Sequence, residues 1–229
     1  MGKAIAEAAR DRHHEICLII SSINKKDLNA ESLSKCDVAI EFTGPESAFE
    51  NIAACLRCGT PVVSGSTGWL NRFDDIKELC NQVNGSFIYA SNFSVGVNLF
   101  FELNRKLAEL MAGREEYDVA LKEVHHTQKK DAPSGTAITL AEQLISVLPG
   151  KTGWTNSEAD DNSKVEIISE RVDPAPGTHH VKYLSDVDDI EIIHTAHNRK
   201  GFANGAVLAA EFLRGKKGVY TMKDVLGLG

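Results

Sequence analysis

Short apolar runs alternate with amphipathic helical patterns over the first 93 residues of the chain. The apolar positions Ala4, Ile5 and Ala8 recur at the spacing of one helix face. Further helical patterns cover residues 45–59, where Pro45 and Gly59 mark the start and the end, and residues 73–83. Four runs have the length and β-branched content of buried strands: residues 16–20, 38–42, 61–64 and 87–90. Strands that alternate with helices predict a Rossmann-type, doubly wound parallel sheet of the α/β class.

The pattern changes beyond residue 93. Four leucines at helical spacing, Leu99, Leu103, Leu107 and Leu110, predict a helix over residues 98–111 with these leucines on one face. A second amphipathic helix is predicted to begin near Ser134, and residues 149–163 are polar and predict a surface loop. Strand-like patterns occupy residues 117–124, 164–170, 179–184 and 190–195. These elements predict a second, smaller α+β domain with a mostly antiparallel sheet.

A last helical pattern, residues 206–213, is expected to pack back on the first domain. The predicted first domain therefore combines residues 1–93 and 203–229, and the second domain spans residues 94–202.

The start of the chain departs from the usual order of a doubly wound nucleotide-binding unit, which is a strand, a glycine-rich turn and then a helix. Here the sequence begins inside the helical pattern, and Gly2 stands where the last glycine of that turn would be. One interpretation is that the first strand is missing and that the natural chain has a length nearer ~240 residues. The other is that Gly2 is simply a tolerated N-terminal residue.

Composition narrows the class of protein. The chain has 229 residues, 42% of them hydrophobic, and 25 Lys+Arg against 32 Asp+Glu give a net charge of −7. No basic field is present to hold nucleic acid or an anionic membrane, and no apolar run approaches the ~20 residues of a membrane span. The first residues lack the apolar core of a signal peptide. We therefore expect a cytoplasmic protein that binds neither nucleic acid nor membranes.

The five cysteines are odd in number and all lie in the first 80 residues. This pattern does not indicate a disulfide framework. Cys55 and Cys58 form a C-x-x-C motif within a predicted helix, without a second pair of ligands. We interpret the cysteines as small buried thiols.

Small and hydrogen-bonding residues follow three of the predicted parallel strands. Ligands of open parallel sheets bind at the carboxyl ends of the strands, where the backbone must approach a flat ligand closely. Ordinary loop chemistry explains any one of these loops, but the three together favour a cofactor crevice. Its candidate residues are Thr43, Gly65, Ser66, Thr67, Ala90, Asn92 and Phe93.

The segment from Glu123 to Thr136 carries the densest candidate chemistry. It joins a predicted strand to a helix whose N-terminus offers unpaired N–H groups to an anion. Lys129 and the pair His125-His126 lie close enough along the chain to meet one carboxylate together. The alternative is a structural cap with accidental histidines. Zinc is disfavoured because no carboxylate or cysteine joins the histidine pair at ligand spacing, so no metal is expected.

The run H-H-x-x-K-x-D-A-P-S-G-T-A over residues 125–137 resembles the signature of the dihydrodipicolinate reductase family, which acts in the diaminopimelate route to lysine. Further blocks of this resemblance are E-F-T at 41–43, G-S-T-G at 65–68, N-F-S-x-G-V at 92–97 and H-x-A-x-x-R-x-G-F-A-x-G-A at 194–206. They follow the order of the family and cover essentially the whole chain.

The resemblance implies hydride transfer from NADPH or NADH to a cyclic imine that bears two carboxylates. It implies that His125 and Lys129 are the acid/base pair, and that His126, Gly135 and Thr136 bind a substrate carboxylate. Arg199 is expected near the domain junction, without a direct role. By resemblance, the first domain binds the dinucleotide, and the second binds the substrate and forms a homotetramer. The implied cofactor residues are Gly65, Ser66, Thr67, Ala90, Asn92 and Phe93, with Gly2 as a remnant of the phosphate-binding turn.

One position departs from the family pattern. The strand at 16–20 ends in Ser21-Ser22, followed by Lys25-Lys26, where the family often has an acid that binds the ribose. Serines and lysines accept a 2′-phosphate, so we expect NADPH to be tolerated or preferred. Two other interpretations stay open: a related two-domain dehydrogenase of another small amino acid or imine, such as an aspartate-type dehydrogenase, and a truncated, non-catalytic chain.

Overall fold

The computed structural model describes residues 1–157 and 162–228. These residues form two compact units, one comprising Met1–Val95 with the chain from Lys200 onward, and the other comprising Gly96–Arg199. The α-helices are α1 Gly2–Asp11, α2 Ala30–Leu33, α3 Pro45–Arg57, α4 Phe73–Gln82, α5 Val95–Met111, α6 Gly135–Val147, α7 Lys200–Leu213 and α8 Met222–Leu226. The strands are β1 Ala39–Glu41, β2 Val62–Ser64, β3 Ser86–Tyr89, β4 Asp118–His125, β5 Gly153–Thr155, β6 Lys164–Arg171, β7 Gly177–Leu184, β8 Asp189–Ala196 and β9 Gly218–Tyr220.

The first unit contains a four-stranded parallel sheet in the order β1-β2-β3-β9. Side chains alternate between its two faces, so neighbouring residues of one strand enter different cores. Val63 packs in a core with residues of α1 and α7, whereas Val62 packs in a core with residues of α3 and α4. The predicted α/β class and the doubly wound parallel sheet are confirmed.

The strand predicted at residues 16–20 is wrong, because this segment forms no strand. A strand needs a neighbour for its backbone hydrogen bonds, and the sheet order places none of the described strands beside this segment. Ile19 accordingly remains 61% exposed. The predicted upstream strand stays a prediction.

The second unit contains a five-stranded sheet in the order β5-β6-β4-β7-β8. The pairs β4–β7 and β7–β8 are antiparallel, but β4–β6 and β5–β6 are parallel. The sheet is therefore mixed: its two longest pairings are antiparallel, as predicted, and the parallel pairings of β6 were not predicted. The chain leaves β4 through α6 and β5 before it enters β6, so the neighbouring strands β4 and β6 are joined by a crossover connection and are parallel. The predicted loop at 149–163 contains the short strand β5, and its residues 158–161 lie outside the described residues.

The predicted helix at 98–111 exists, but its leucine face is not the buried one. Leu99, Leu103 and Leu110 are 48%, 51% and 63% exposed. The residues of α5 that enter the core are Val97, Phe100, Phe101, Ala108 and Met111. The helix has two apolar stripes, and the one with the aromatic side chains packs against the sheet.

The cysteines are not all free thiols. Cys17 and Cys36 form a disulfide with their Cα atoms 6.2 Å apart, which corrects the prediction of thiols throughout. Cys55 and Cys80 are buried free thiols, as predicted. Burial raises the pKa of Cys55 to about 12, so this thiol is unreactive near neutral pH. None of the described helices is long and apolar enough to cross a membrane.

Candidate active site

The candidate cofactor residues follow the strands of the first unit as the sequence predicts. Thr43 lies just after β1, Gly65 to Thr67 follow β2, and Ala90 to Phe93 follow β3. Because these strands are parallel, their carboxyl ends meet at one edge of the sheet. Gly2 is the first residue of α1 in the same unit.

A buried glutamate connects two of these loops. Glu41 at the end of β1 is only 6% exposed. Its Oε1 accepts hydrogen bonds from the backbone N–H of Thr43 at 2.8 Å and from the hydroxyl of Ser66 at 2.7 Å. Its Oε2 accepts one from the hydroxyl of Ser64 at 2.6 Å. The sequence reasoning missed this role, although a lone acid at the end of an apolar strand was a visible signal.

Gly65 allows the second loop to lie close to the end of β1. A Cβ atom on this residue would lie 2.3 Å from ring atoms of Phe42, closer than any side chain permits. The Phe42 ring in turn packs on Phe93 with ring centroids 5.6 Å apart. The edge therefore presents backbone and small exposed hydroxyl residues, Thr43 and Thr67 among them, which fits a dinucleotide.

In the second unit the helix N-terminus forms as predicted. Ser134 caps α6, since its Oγ accepts a hydrogen bond from the N–H of Ala137 at 3.2 Å. Gly135 and Thr136 are the first two residues of the helix. The helix dipole and the N–H groups of this first turn favour a bound anion.

Glu123 is the buried centre of the second unit's site, and its side chain is completely buried. Its Oε1 accepts hydrogen bonds from the N–H of Ser134 at 3.0 Å, the hydroxyl of Ser169 at 2.8 Å and Nη2 of Arg171 at 3.1 Å. Burial alone would raise the pKa of Glu123, but these donors together with His125 outweigh it, so the pKa lies well below its usual range. Glu123 is therefore ionised at neutral pH.

Two buried histidines face the other oxygen of this carboxylate. Nδ1 of His125 lies 3.3 Å from Oε2 of Glu123, and Nε2 of His179 lies 3.9 Å from it. The two imidazole rings meet edge to face with centroids 5.1 Å apart. Burial, followed by the charge of His125, lowers the pKa of His179 to about 3. His179 is thus neutral near pH 7.

Lys129, the predicted partner of His125, lies in an ion pair. Its Nζ is 2.7 and 2.8 Å from the two carboxylate oxygens of Asp131. Arg171 fixes this loop, because Nη2 donates to the carbonyl of Asp131 at 2.6 Å and Nε to the carbonyl of Lys129 at 3.3 Å. The loop is therefore held by the same arginine that pairs with Glu123.

His126 has a partner that the sequence reasoning set aside. Nη2 of Arg199 lies 3.2 Å from Nε2 of His126. The two residues line a cavity of about 330 Å³, together with Gln128, Asp173, Pro174, Ala175, Pro176 and Asn198. Arg199 therefore adds a fixed positive charge beside the predicted carboxylate ligand.

Glu123, His125 and His179 also have a spacing that a metal ion could use, since their ligand atoms lie within 4.8 Å of one another. The prediction that no carboxylate joins the histidines at ligand spacing is therefore wrong, because Glu123 lies beside His125. A different argument applies, namely that the guanidinium of Arg171 already pairs with this carboxylate and repels a cation. The absence of a resident metal stays a prediction.

A parallel α/β unit with small-residue loops at its carboxyl edge, in one chain with an α+β unit that carries a buried acid/base cluster, defines a two-domain oxidoreductase. Comparison with models of known protein families identifies the family. The dihydrodipicolinate reductase N-terminus model matches residues 1–93, and the C-terminus model matches residues 96–226. This chain therefore belongs to the dihydrodipicolinate reductase family, which confirms the resemblance.

Individual similar proteins belong to the same family. A 4-hydroxy-tetrahydrodipicolinate reductase of Christiangramia forsetii is 50% identical over 99% of this chain and 93% of its own length. The enzyme of the same name from Methanosarcina barkeri is 38% identical over 85% of this chain and 74% of its own length. A dipicolinate-bound dihydrodipicolinate reductase from Paenisporosarcina sp. TG-14 superposes with a TM-score of 0.76 at 25% identity, covering 96% of this chain and 92% of that one.

Proposed function

We propose that this chain reduces 4-hydroxy-tetrahydrodipicolinate to tetrahydrodipicolinate in the diaminopimelate route to lysine, with a pyridine nucleotide as reductant. The observation that carries the proposal is the buried Glu123–His125 pair beside the N-terminus of α6. This arrangement places a proton-bearing group next to a site for an anion, as a dicarboxylate that must be protonated requires.

The carboxyl edge of the first unit is the proposed cofactor site. Thr43, Ser66 and Thr67, with the backbone at Gly65, Ala90, Asn92 and Phe93, would hold the dinucleotide, and Gly2 would mark the start of its phosphate-binding helix. When bound, the reduced nicotinamide supplies the hydride. Ser21, Ser22, Lys25 and Lys26 are all exposed, which supports acceptance of a 2′-phosphate and hence NADPH over NADH.

Substrate binding is assigned to the second unit. One carboxylate accepts hydrogen bonds from the N–H groups of Gly135 and Thr136 at the start of α6, and from His126. Arg199, which contacts His126, adds to the positive potential there. Lys129 balances the negative charge of the substrate once its ion pair with Asp131 opens.

Protonation is assigned to His125 and Lys129. Addition of hydride to the ring carbon remote from nitrogen leaves an electron-rich enamine, which must gain one proton at the neighbouring carbon. His125 is 7% exposed and lies at the end of β4, so it can deliver this proton without competition from bulk water. Lys129 either supplies this proton or relays it to the substrate.

A homotetramer is proposed through the sheet of the second unit. The face of this sheet that points away from the core exposes Ile168 on β6 and Ile193 on β8, which are 44% and 54% accessible. Exposed isoleucines on a sheet are typical of a surface that another subunit covers. The cytoplasm, where the small metabolites of this pathway are made, is the proposed location.

The decisive experiment couples freshly made substrate, from pyruvate and aspartate semialdehyde with its synthase, to NAD(P)H oxidation at 340 nm. His125→Asn and Lys129→Ala should each lower kcat by roughly 10²- to 10⁴-fold because a proton donor is lost. His13→Asn is the matched control, since this exposed histidine lies in the first unit. No oxidation with wild-type protein would leave a non-catalytic chain or a dehydrogenase of another substrate. Near-normal rates in both variants would show that the roles are wrong.

A further inference from the structure

The structure assigns to Glu123 the role of a positioning residue: its carboxylate fixes the ring and the hydrogen position of His125, and so selects the nitrogen that delivers the proton. This inference rests on the proposed role of His125 as proton donor and deepens it.

Two buried polar atoms without other hydrogen-bond partners face each other in this cluster. Among the described residues, Oε2 of Glu123 and Nδ1 of His125 each lack such a partner, and they lie 3.3 Å apart. A buried donor and a buried acceptor left unpaired cost free energy, so each is the natural partner of the other. Nδ1 of His125 therefore carries its hydrogen toward the carboxylate.

The carboxylate itself cannot turn away. Its other oxygen is held by three donors from two elements: Ser134 at the start of α6, and Ser169 and Arg171 on β6. These three bonds fix the plane of the carboxylate and keep Oε2 directed at His125. The same bonds connect the proton donor to the helix N-terminus that is proposed to bind the substrate.

Gly177 packs against the opposite edge of the imidazole. A Cβ atom placed on this residue would lie 3.0 Å from Nε2 of His125, so a glycine is needed to leave room at this nitrogen. With Nδ1 engaged by Glu123, Nε2 is the nitrogen that exchanges protons. In the reaction one N–H bond breaks at Nε2 and one C–H bond forms on the substrate. The ring is left neutral, with its remaining hydrogen on Nδ1.

The test is Glu123→Gln, measured as kcat and KM. We expect kcat to fall roughly 10- to 100-fold, because the ring of His125 is no longer held by a carboxylate. The KM for NADPH should stay unchanged. Glu123→Asp keeps a carboxylate acceptor and should restore part of the lost kcat. The matched control is Glu170→Gln, because Glu170 is a half-buried acid on β6 that pairs with Lys122 instead.

A second variant covers the case in which Glu123→Gln does not fold. Gly177→Ala leaves the carboxylate in place and crowds Nε2 from the other side, so kcat should fall while the KM for NADPH stays unchanged. Wild-type kcat in folded Glu123→Gln, or full activity in Gly177→Ala, would overturn the inference. Loss of activity on chelation and its return with Zn²⁺ would also overturn it, since the three groups would then hold an ion.

Failure of the inference is distinguishable from failure of the proposed function. If His125→Asn keeps the wild-type rate, the proposed role of His125 is wrong whatever Glu123 does. If His125→Asn is inactive and Glu123→Gln behaves as wild type, only the positioning role falls. The double variant should lose no more activity than His125→Asn alone, because Glu123 acts through that ring.

Discussion

Each of the two candidate sites is built around a buried glutamate, but the partners differ. In the first unit, Glu41 accepts hydrogen bonds from hydroxyl groups and a backbone N–H, all of them neutral donors. In the second unit, Glu123 accepts from Arg171 as well and faces two histidines. Neutral donors fix the shape of a loop edge, whereas a cation and two imidazoles make a cluster whose proton content can change. The first arrangement suits binding, and the second suits proton transfer.

The largest expected difference between the two regions is their response to acid. The pKa of His179 is lowered to about 3 in the fold by burial, whereas an unfolded histidine titrates near 6.5. Between these values the unfolded chain binds a proton that the folded chain does not, so stability falls as the pH falls from about 6.5. The loss is at most ~1.4 kcal/mol per pH unit for this group. Below about pH 4.3 the unfolded chain also protonates Glu123, whose pKa is depressed in the fold, and this adds to the loss of stability.

The two tryptophans report on the two regions separately, because Trp69 lies in the first unit and Trp154 in the second. Urea unfolding is followed by the one remaining tryptophan in Trp69→Phe and in Trp154→Phe, between pH 7 and 4.5. The loss of stability in acid should appear first at Trp154, the tryptophan that remains in Trp69→Phe. The histidines of the first unit, His13 and His14, are both exposed, unlike His179. His179→Gln should reduce the dependence of the unfolding free energy on pH, and His13→Asn should not. An equal pH dependence at both tryptophans would contradict the comparison.

The sequence predicted what depends on local pattern. The alternation of strands and helices yielded the parallel sheet, and the cap at Ser134 placed α6 correctly. The 16–20 run failed because a strand also depends on a neighbour, which local composition does not report. The expectation that the leucine face of α5 is the buried one failed, because that helix has two apolar stripes and only packing decides which one is buried.

The candidate site was predicted by its residue types but not by its connections. Glu123 and His125 are two residues apart on one strand, so their side chains share a face, and this spacing was a readable signal. The contributions of Arg171 and His179 come from neighbouring strands and depend on sheet register. The contact of His126 with Arg199 joins positions 73 residues apart, which no local pattern encodes.

A smaller effect tests the first region. Gly65→Ala places a Cβ atom 2.3 Å from the Phe42 ring, so the loop after β2 must move. We expect a loss of stability of about 1–3 kcal/mol and at least tenfold weaker NADPH binding by fluorescence titration. Gly201→Ala is the matched control, because its Cβ would lie at an ordinary 3.5 Å from the Ser94 hydroxyl. Unchanged NADPH affinity in Gly65→Ala would show that this loop does not hold the cofactor.

The two glutamates are proposed to serve separable tasks: Glu41 shapes the cofactor-binding edge, and Glu123 positions the proton donor His125. The most direct test is the dissociation constant of NADPH for wild-type protein, Glu41→Gln and Glu123→Gln under one set of conditions. Loss of one charged acceptor in the first unit should weaken binding about fivefold, equivalent to ~1 kcal/mol. We expect this weakening in Glu41→Gln and a change of less than about twofold in Glu123→Gln. Weaker binding in Glu123→Gln with wild-type affinity in Glu41→Gln would contradict it.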